Sequence, residues 1–197
     1  FLSYLVIFVS YIFYIIFGGN DAFVFVNNYA TYILVVFNII YIIYLWKKNI
    51  ILFKKTKSII PFVMLGIGFA SFCNMIILKI NTNEEINLLF LILSSVIVGP
   101  FVEEIIFRYI LIGKLEKFNS RIITILLASL IFALVHSGII NIIYTFILGI
   151  ILNTIYLKNK NLLYPFVVHS SANFIVLLFE GYNDYILVLS FILLVIS

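Results

Sequence analysis

Residues 122–156 read IITILLASLIFALVHSGIINIIYTFILGIILNTIY, without a single Asp, Glu, Lys or Arg. An α-helix needs about 20 apolar residues to cross the hydrocarbon core of a bilayer. The stretch therefore holds nearly two crossings, and Ser137, Gly138 and Asn141 are the only turn-formers between them. A turn so short, flanked by isoleucine, is expected to be buried by neighbouring helices rather than to face water.

The same pattern recurs in both directions. Residues 1–20, 22–46, 58–78, 86–102 and 161–179 are also free of charged side chains. Of the 197 residues 65% are hydrophobic and 10% charged, and the mean hydropathy is +1.27. This is the composition of a membrane protein and excludes a water-soluble domain. The expected fold is all-α, a polytopic transmembrane bundle of about eight helices over residues 2–17, 29–46, 58–78, 86–113, 121–136, 140–157, 162–179 and 184–197. The chain starts at Phe1, without Met, so a trimmed chain with a shortened first helix is expected. No basic n-region of a signal peptide precedes that helix.

Charge fixes the orientation. Lys47, Lys48, Lys54, Lys55 and Lys57 follow the second helix, Lys114, Lys117 and Arg121 the fourth, and Lys158 and Lys160 the sixth. Asp21, Lys79, Glu84, Glu85, Glu180 and Asp184 alternate with them. Basic loops stay cytoplasmic, so the lysine-rich side and both ends are expected inside, and the Ile-, Lys-, Asn- and Phe-rich composition points to a bacterial cell membrane. Tyr41, Tyr44, Trp46, Tyr156 and Tyr164 fall at the same boundary, as interfacial anchors. Because the basic residues sit between apolar runs, the net charge of +4 implies a lipid bilayer as partner and no nucleic acid. The lone Cys73 reads as packing.

Ionisable groups interrupt the apolar helices at three places: Glu103, Glu104 and Arg108; His136; and His169 with Asn173. Each charge costs roughly 3 kcal/mol at the centre of a membrane helix on insertion scales, so such groups mark function by default. Glu104 and Arg108 are four apart and predict an ion pair on one helix face. Glu103 points about 100° away and needs a partner from another helix. His169 and Asn173, and likewise Phe132 and His136, share a face at the same spacing. Helix packing through His and Asn is the bland alternative. A proton-coupled carrier is a further one, although no inverted repeat accompanies the cluster.

In this order the clusters resemble the signature of the CAAX protease and bacteriocin-processing family: Glu103-Glu104-Ile105-Ile106-Phe107-Arg108, Phe132-Ala133-Leu134-Val135-His136 and His169-Ser170-Ser171-Ala172-Asn173. The resemblance covers roughly residues 99–179. It implies an intramembrane endopeptidase acting on a peptide, protein or lipidated substrate, with a site open to the cytoplasm and a role in bacteriocin or signal-peptide maturation or in self-immunity. Residues 86–197 then form the catalytic core, and residues 1–85 are supporting helices that shape substrate entry. No His-Glu-x-x-His, Gly-x-Ser-Gly or Gly-x-Gly-Asp motif of other intramembrane proteases occurs.

On this reading Glu103 is the general base toward a water that His136 also holds. His169 and Asn173 bind the oxyanion, and Glu104 with Arg108 orients Glu103. The rival account places a divalent metal such as zinc on Glu103, His136 and His169; the expectation is that no metal is required. A non-catalytic bacteriocin immunity protein of the same fold is the alternative function. Depth is the tension in this scheme: Glu103 and His169 lie about 15 and 10 Å from their cytoplasmic helix ends, and His136 about 22 Å from Arg121. Gly99-Pro100, just before Glu103, is expected to bend its helix.

Overall fold

A computed structural model describes residues 36, 39–44, 47, 53, 54, 56, 58–77, 92–136 and 138–179. The chain divides into two compact units, Phe1–Ile50 and Ile51–Ser197. In the first, the described residues are helical, and Tyr41 and Tyr44 stack with ring centroids 6.4 Å apart.

The second unit is a bundle of helices, with no strand among the described residues. They are α1 (Ile60–Ile77), α2 (93–115), α3 (Arg121–Leu134), α4 (Ile139–Asn159) and α5 (Leu163–Phe179). The expected helices over 2–17 and 184–197 lie outside the described residues, as does the start of the one expected over 86–113. Ile139–Asn159, 21 residues long, is apolar enough to cross a membrane, and 33% of its most apolar window is buried inside the protein. Ile60–Cys73, Arg121–Leu134 and Leu163–Leu177 are shorter apolar helices.

An apolar core, with Ile105, Phe132, Leu148, Leu152 and Val168 buried, is joined by buried polar groups and surrounded by apolar outer faces. Glu104, Arg108, Thr124, Ser129, Asn153 and His169 are buried, whereas Ile122, Leu126, Leu130, Leu134, Ile139 and Ile143 are exposed. Exposed aliphatic faces on this scale need lipid to cover them.

Small residues and inward hydroxyls bring the helices together. On α3 and α4, Asn153 Nδ2 donates to Ser129 Oγ at 2.9 Å and to the Ile125 carbonyl at 3.3 Å. A Cβ on Gly149 would lie 3.1 Å from Ser129 Cα, a tight contact that glycine avoids. Such contacts replace the hydrophobic drive that lipid removes.

Basic segments meet at one end of the unit. Asn161 clamps Lys54 through both backbone groups, accepting from its N–H at 3.2 Å and donating to its carbonyl at 3.1 Å. Lys160, which takes the left-handed conformation that ends α4, pairs with Glu116 in the α2–α3 loop. The segment at Lys54, the loop after α2 and the α4–α5 corner therefore share one end, as the charge pattern predicts.

Two local departures bear on function. The helix expected over 121–136 ends at Leu134, because Val135 leaves helical ψ and Gly138 takes φ +86 to start the turn into α4. His136 therefore stands on the turn, past the helix end. Around Pro100, α2 widens instead of simply bending. Leu93–Val98 and Ile105–Ile112 are π-helical, with a short α-helical segment, Gly99–Glu104, between them. Proline has no N–H and crowds the carbonyl one turn back; a wider turn, in which the Gly99 N–H reaches Ser94 O, removes the clash. A Cβ on Gly99 would sit 2.7 Å from that oxygen, so the wide turn needs glycine.

Candidate active site

The widened helix α2 sets two successive carboxylates against α5. Glu104 is fully buried, Glu103 keeps 37% side-chain exposure, and His169 on α5 lies between them with 3%. His169 Nδ1 is 2.8 Å from Glu104 Oε1, and its Nε2 is 3.7 Å from Glu103 Oε2. The first is a hydrogen bond, in which a carboxylate beside a guanidinium accepts and Nδ1–H donates. The second is longer than a hydrogen bond and leaves Nε2 and Glu103 side by side, in reach of one shared small molecule.

Arg108 completes the row, as its spacing predicts. Its Nε is 3.1 Å from Glu104 Oε2, in a pair with both side chains fully buried. The contact is an ion pair without hydrogen-bond geometry, and among the described residues none of the three guanidinium nitrogens has a hydrogen-bond acceptor. Aromatic faces take that place: the guanidinium carbon lies 4.4 Å from the centroid of Phe132 and 5.9 Å from that of Phe107. A desolvated cation over a ring gains about 2 kcal/mol, which offsets part of its burial cost.

Phe132 joins all three motifs. Its ring meets Phe107 edge-on at 5.0 Å, His136 at 5.0 Å and His169 at 5.7 Å. Its carbonyl lies 2.9 Å from His136 Nδ1. A carbonyl only accepts, so His136 carries its proton on Nδ1 and leaves Nε2 as an acceptor. Reading the sequence identified Phe132 as a motif residue without assigning it a role; the signal was its spacing to His136, and the ring's contacts to other helices left none.

Asn173 takes a different position. Its Nδ2 donates to the Ser95 carbonyl at 2.9 Å, which ties α5 to the first π-helical segment of α2. Ser95 was not singled out by sequence reading, because a backbone acceptor carries no side-chain signature.

The structure thus gathers Glu103, Glu104, Arg108, Phe132 and His169 in direct contact. His136 is attached through Phe132, and Asn173 through Ser95. Both imidazoles have Nδ1 held by an acceptor, the arrangement that orients Nε2 toward a metal or a water. Among the described residues no group of three His, Cys, Asp or Glu side chains is placed to hold a metal ion.

Comparison with known proteins agrees with these motifs. The family model for type II CAAX prenyl endopeptidase Rce1-like proteins matches residues 85–175. The membrane-embedded CAAX protease MroQ of Staphylococcus aureus (strain USA300) is 30% identical over 155 residues, covering 66% of this chain and 62% of the relative. A Bacillus subtilis (strain 168) protein described as membrane peptidase YdiL is 31% identical over 90 residues, 46% of this chain and 37% of the relative. The chain thus spans less than two thirds of the length of either relative. No solved structure matches it. Residues 85–175, which carry the three ordered motifs and their packed side chains, are thus similar to the Rce1-like type II CAAX prenyl endopeptidases.

Proposed function

We propose that this chain is an intramembrane endopeptidase that hydrolyses a peptide bond in a peptide or lipidated substrate, using water activated by Glu103. The observation that carries the reading is the partly exposed Glu103 carboxylate beside Nε2 of a buried imidazole whose other nitrogen is fixed by Glu104. Packing alone does not call for two carboxylates and a guanidinium around one histidine in lipid.

The steps follow from the assigned donors and acceptors. Glu103 takes one proton from water, and the water oxygen adds to the scissile carbonyl. His136, with a bare Nε2, accepts the other hydrogen of that water. His169 turns Nε2 toward the oxyanion, while the Glu104–Arg108 pair holds its ring in place. The second amide hydrogen of Asn173, whose first is used on Ser95, adds to that hole. Glu103 then passes its proton to the leaving nitrogen as the C–N bond breaks, and the products are one carboxylic acid, which keeps the other water hydrogen until it ionises, and one amine. No step runs through a metal.

The same reading orients the protein. The lysine-rich end lies in the cytoplasm of a bacterial cell, the bundle crosses the membrane several times, and the site admits substrate from that side. Maturation of a bacteriocin or signal peptide, or self-immunity, is the corresponding role, by resemblance to the family.

The test is cleavage of a mixed peptide pool by the purified full chain in lipid vesicles made up in heavy-oxygen water. New carboxyl termini carrying one heavy oxygen support hydrolysis. An uncut pool, or cleavage unchanged by His169→Ala, contradicts the proposal.

A further inference from the structure

Outside the motifs, one close approach bears directly on the geometry of the site. Gly66 lies on α1, and an ideal Cβ built there would overlap Ser171 Oγ and the Val168 carbonyl of α5. Those residues flank His169. Ser171 has turned its hydroxyl back onto its own helix, donating to the Val167 carbonyl at 2.7 Å and the Val168 carbonyl at 3.0 Å. One turn along, Ala70 packs with Ala172 and Ile175. Gly66 and Ala70 form a small-x-x-x-small face, which lets two membrane helices pack backbone to backbone.

The direction of this contact gives it a consequence. At 100° per residue the Val168–Ser171 edge of α5 and its His169–Asn173 edge point about 150° apart. The first edge rests on α1 at Gly66. The second holds Glu104 through His169 and Ser95 through Asn173, both on α2. Helix α5 is therefore gripped between two neighbours, and any atom added on the α1 side drives the His169 edge into α2.

We infer that Gly66 is a positioning residue for the hydrolytic site: its missing side chain sets the α1–α5 spacing and thereby the His169 Nδ1–Glu104 Oε1 hydrogen bond. The inference rests on the function proposed above for His169, and it assigns a specific task to a helix that carries none of the three motifs.

Glycines elsewhere supply the control. A Cβ on Gly113, in α2, meets nothing within 4 Å, so Gly113→Ala repeats the chemical change without the contact. The chain has two histidines, so labelling histidine with nitrogen-15 gives two ring systems, which His136→Asn assigns. In the full chain in detergent, Gly66→Ala is expected to shift or abolish the Nδ1–H signal of His169 and leave that of His136 in place. Peptide hydrolysis should lose on the order of 10- to 100-fold in kcat at nearly constant KM, the effect of a misplacement of up to about 1 Å. Adding Ser171→Ala removes one of the two overlapped atoms and should restore part of both readings, whereas Gly113→Ala should change neither. The ring signals need no substrate, so they test Gly66 even if wild-type protein cuts no peptide, a result that would count against the function and not against this contact. Unchanged His169 signals and rate in Gly66→Ala would overturn the inference. So would failure of both the single and the double variant to fold, which would make Gly66 a residue of stability instead of positioning.

Discussion

Glu104 binds His169 and Arg108 at once, one carboxylate oxygen 2.8 Å from the imidazole Nδ1 and the other 3.1 Å from the guanidinium Nε, with all three side chains buried. This shared carboxylate is the electrostatic centre of the bundle. Removing it leaves a cation enclosed by aromatic rings with no anion in contact.

Glu104→Ala should therefore lower stability by about 3–5 kcal/mol, the cost of leaving one partner of a buried pair uncompensated. Replacing both partners, as Glu104→Met with Arg108→Met, should recover much of that stability while hydrolysis stays absent. Thermal unfolding in detergent alongside a cleavage assay checks both outcomes. A double variant no more stable than the single one would contradict the account.

Phe132 is the hub of the three motifs, so its ring should matter to more than packing. Phe132→Ala should cost about 3–5 kcal/mol. Phe132→Leu fills most of the space but offers no π face to Arg108, and should keep more stability while losing most of the rate. If Leu restored full activity, the ring's contact with Arg108 and the two imidazoles would be irrelevant to the site.

Several of these relationships were legible in the sequence and others were not, for a consistent reason. The Glu104–Arg108 pair follows from four-residue spacing on one helix, which local geometry dictates; the Phe132–His136 contact has the same spacing although His136 stands just past the end of α3. That a single imidazole lies between Glu103 and Glu104 depends on how α2 crosses α5, and no spacing within either helix encodes it. Sequence reading joined Glu103 and His136 through a water; what it did not place is His169 Nε2 beside Glu103, or His136 Nδ1 on the Phe132 carbonyl. The Gly99-Pro100 step was readable as a disturbance, but its form, a π-helical widening, depends on the backbone finding the Ser94 carbonyl. The end of α3 at Leu134 reflects the positive φ of Gly138, which the sequence signals only as a turn. Glu103, Glu104, Arg108, His136, His169 and Asn173 were all identified by type and order, because charge and amide groups in lipid have few explanations.

The turn that carries His136 depends on that glycine. Gly138→Ala forces a side chain into φ +86, which should cost about 1–3 kcal/mol. Because Gly138 is two residues from His136, the rate should fall more than the loss of folded protein accounts for. Circular dichroism melts compared with initial rates separate the two effects. A variant with wild-type rate would show that the turn does not position His136.

Chelation tests the proton-transfer scheme against a metal one. Hydrolysis by purified protein should survive prolonged treatment with a strong chelator, because the proposed steps use Glu103 and the two imidazoles directly. Activity lost on chelation and restored by zinc would instead place an ion on Glu103, His136 and His169 and contradict the proton-transfer scheme.

The most direct test of the account is the hydrolysis rate of Glu103→Gln in the full chain, measured with its unfolding midpoint. Glu103 is the more exposed of the cluster's two acids, and its contact to His169 is 3.7 Å long, so the midpoint should stay near that of the unaltered protein. The rate should fall by about 10²–10⁴-fold, the contribution of a general base. A folded Glu103→Gln protein that cuts peptide at the original rate would contradict the assignment of Glu103 as the base.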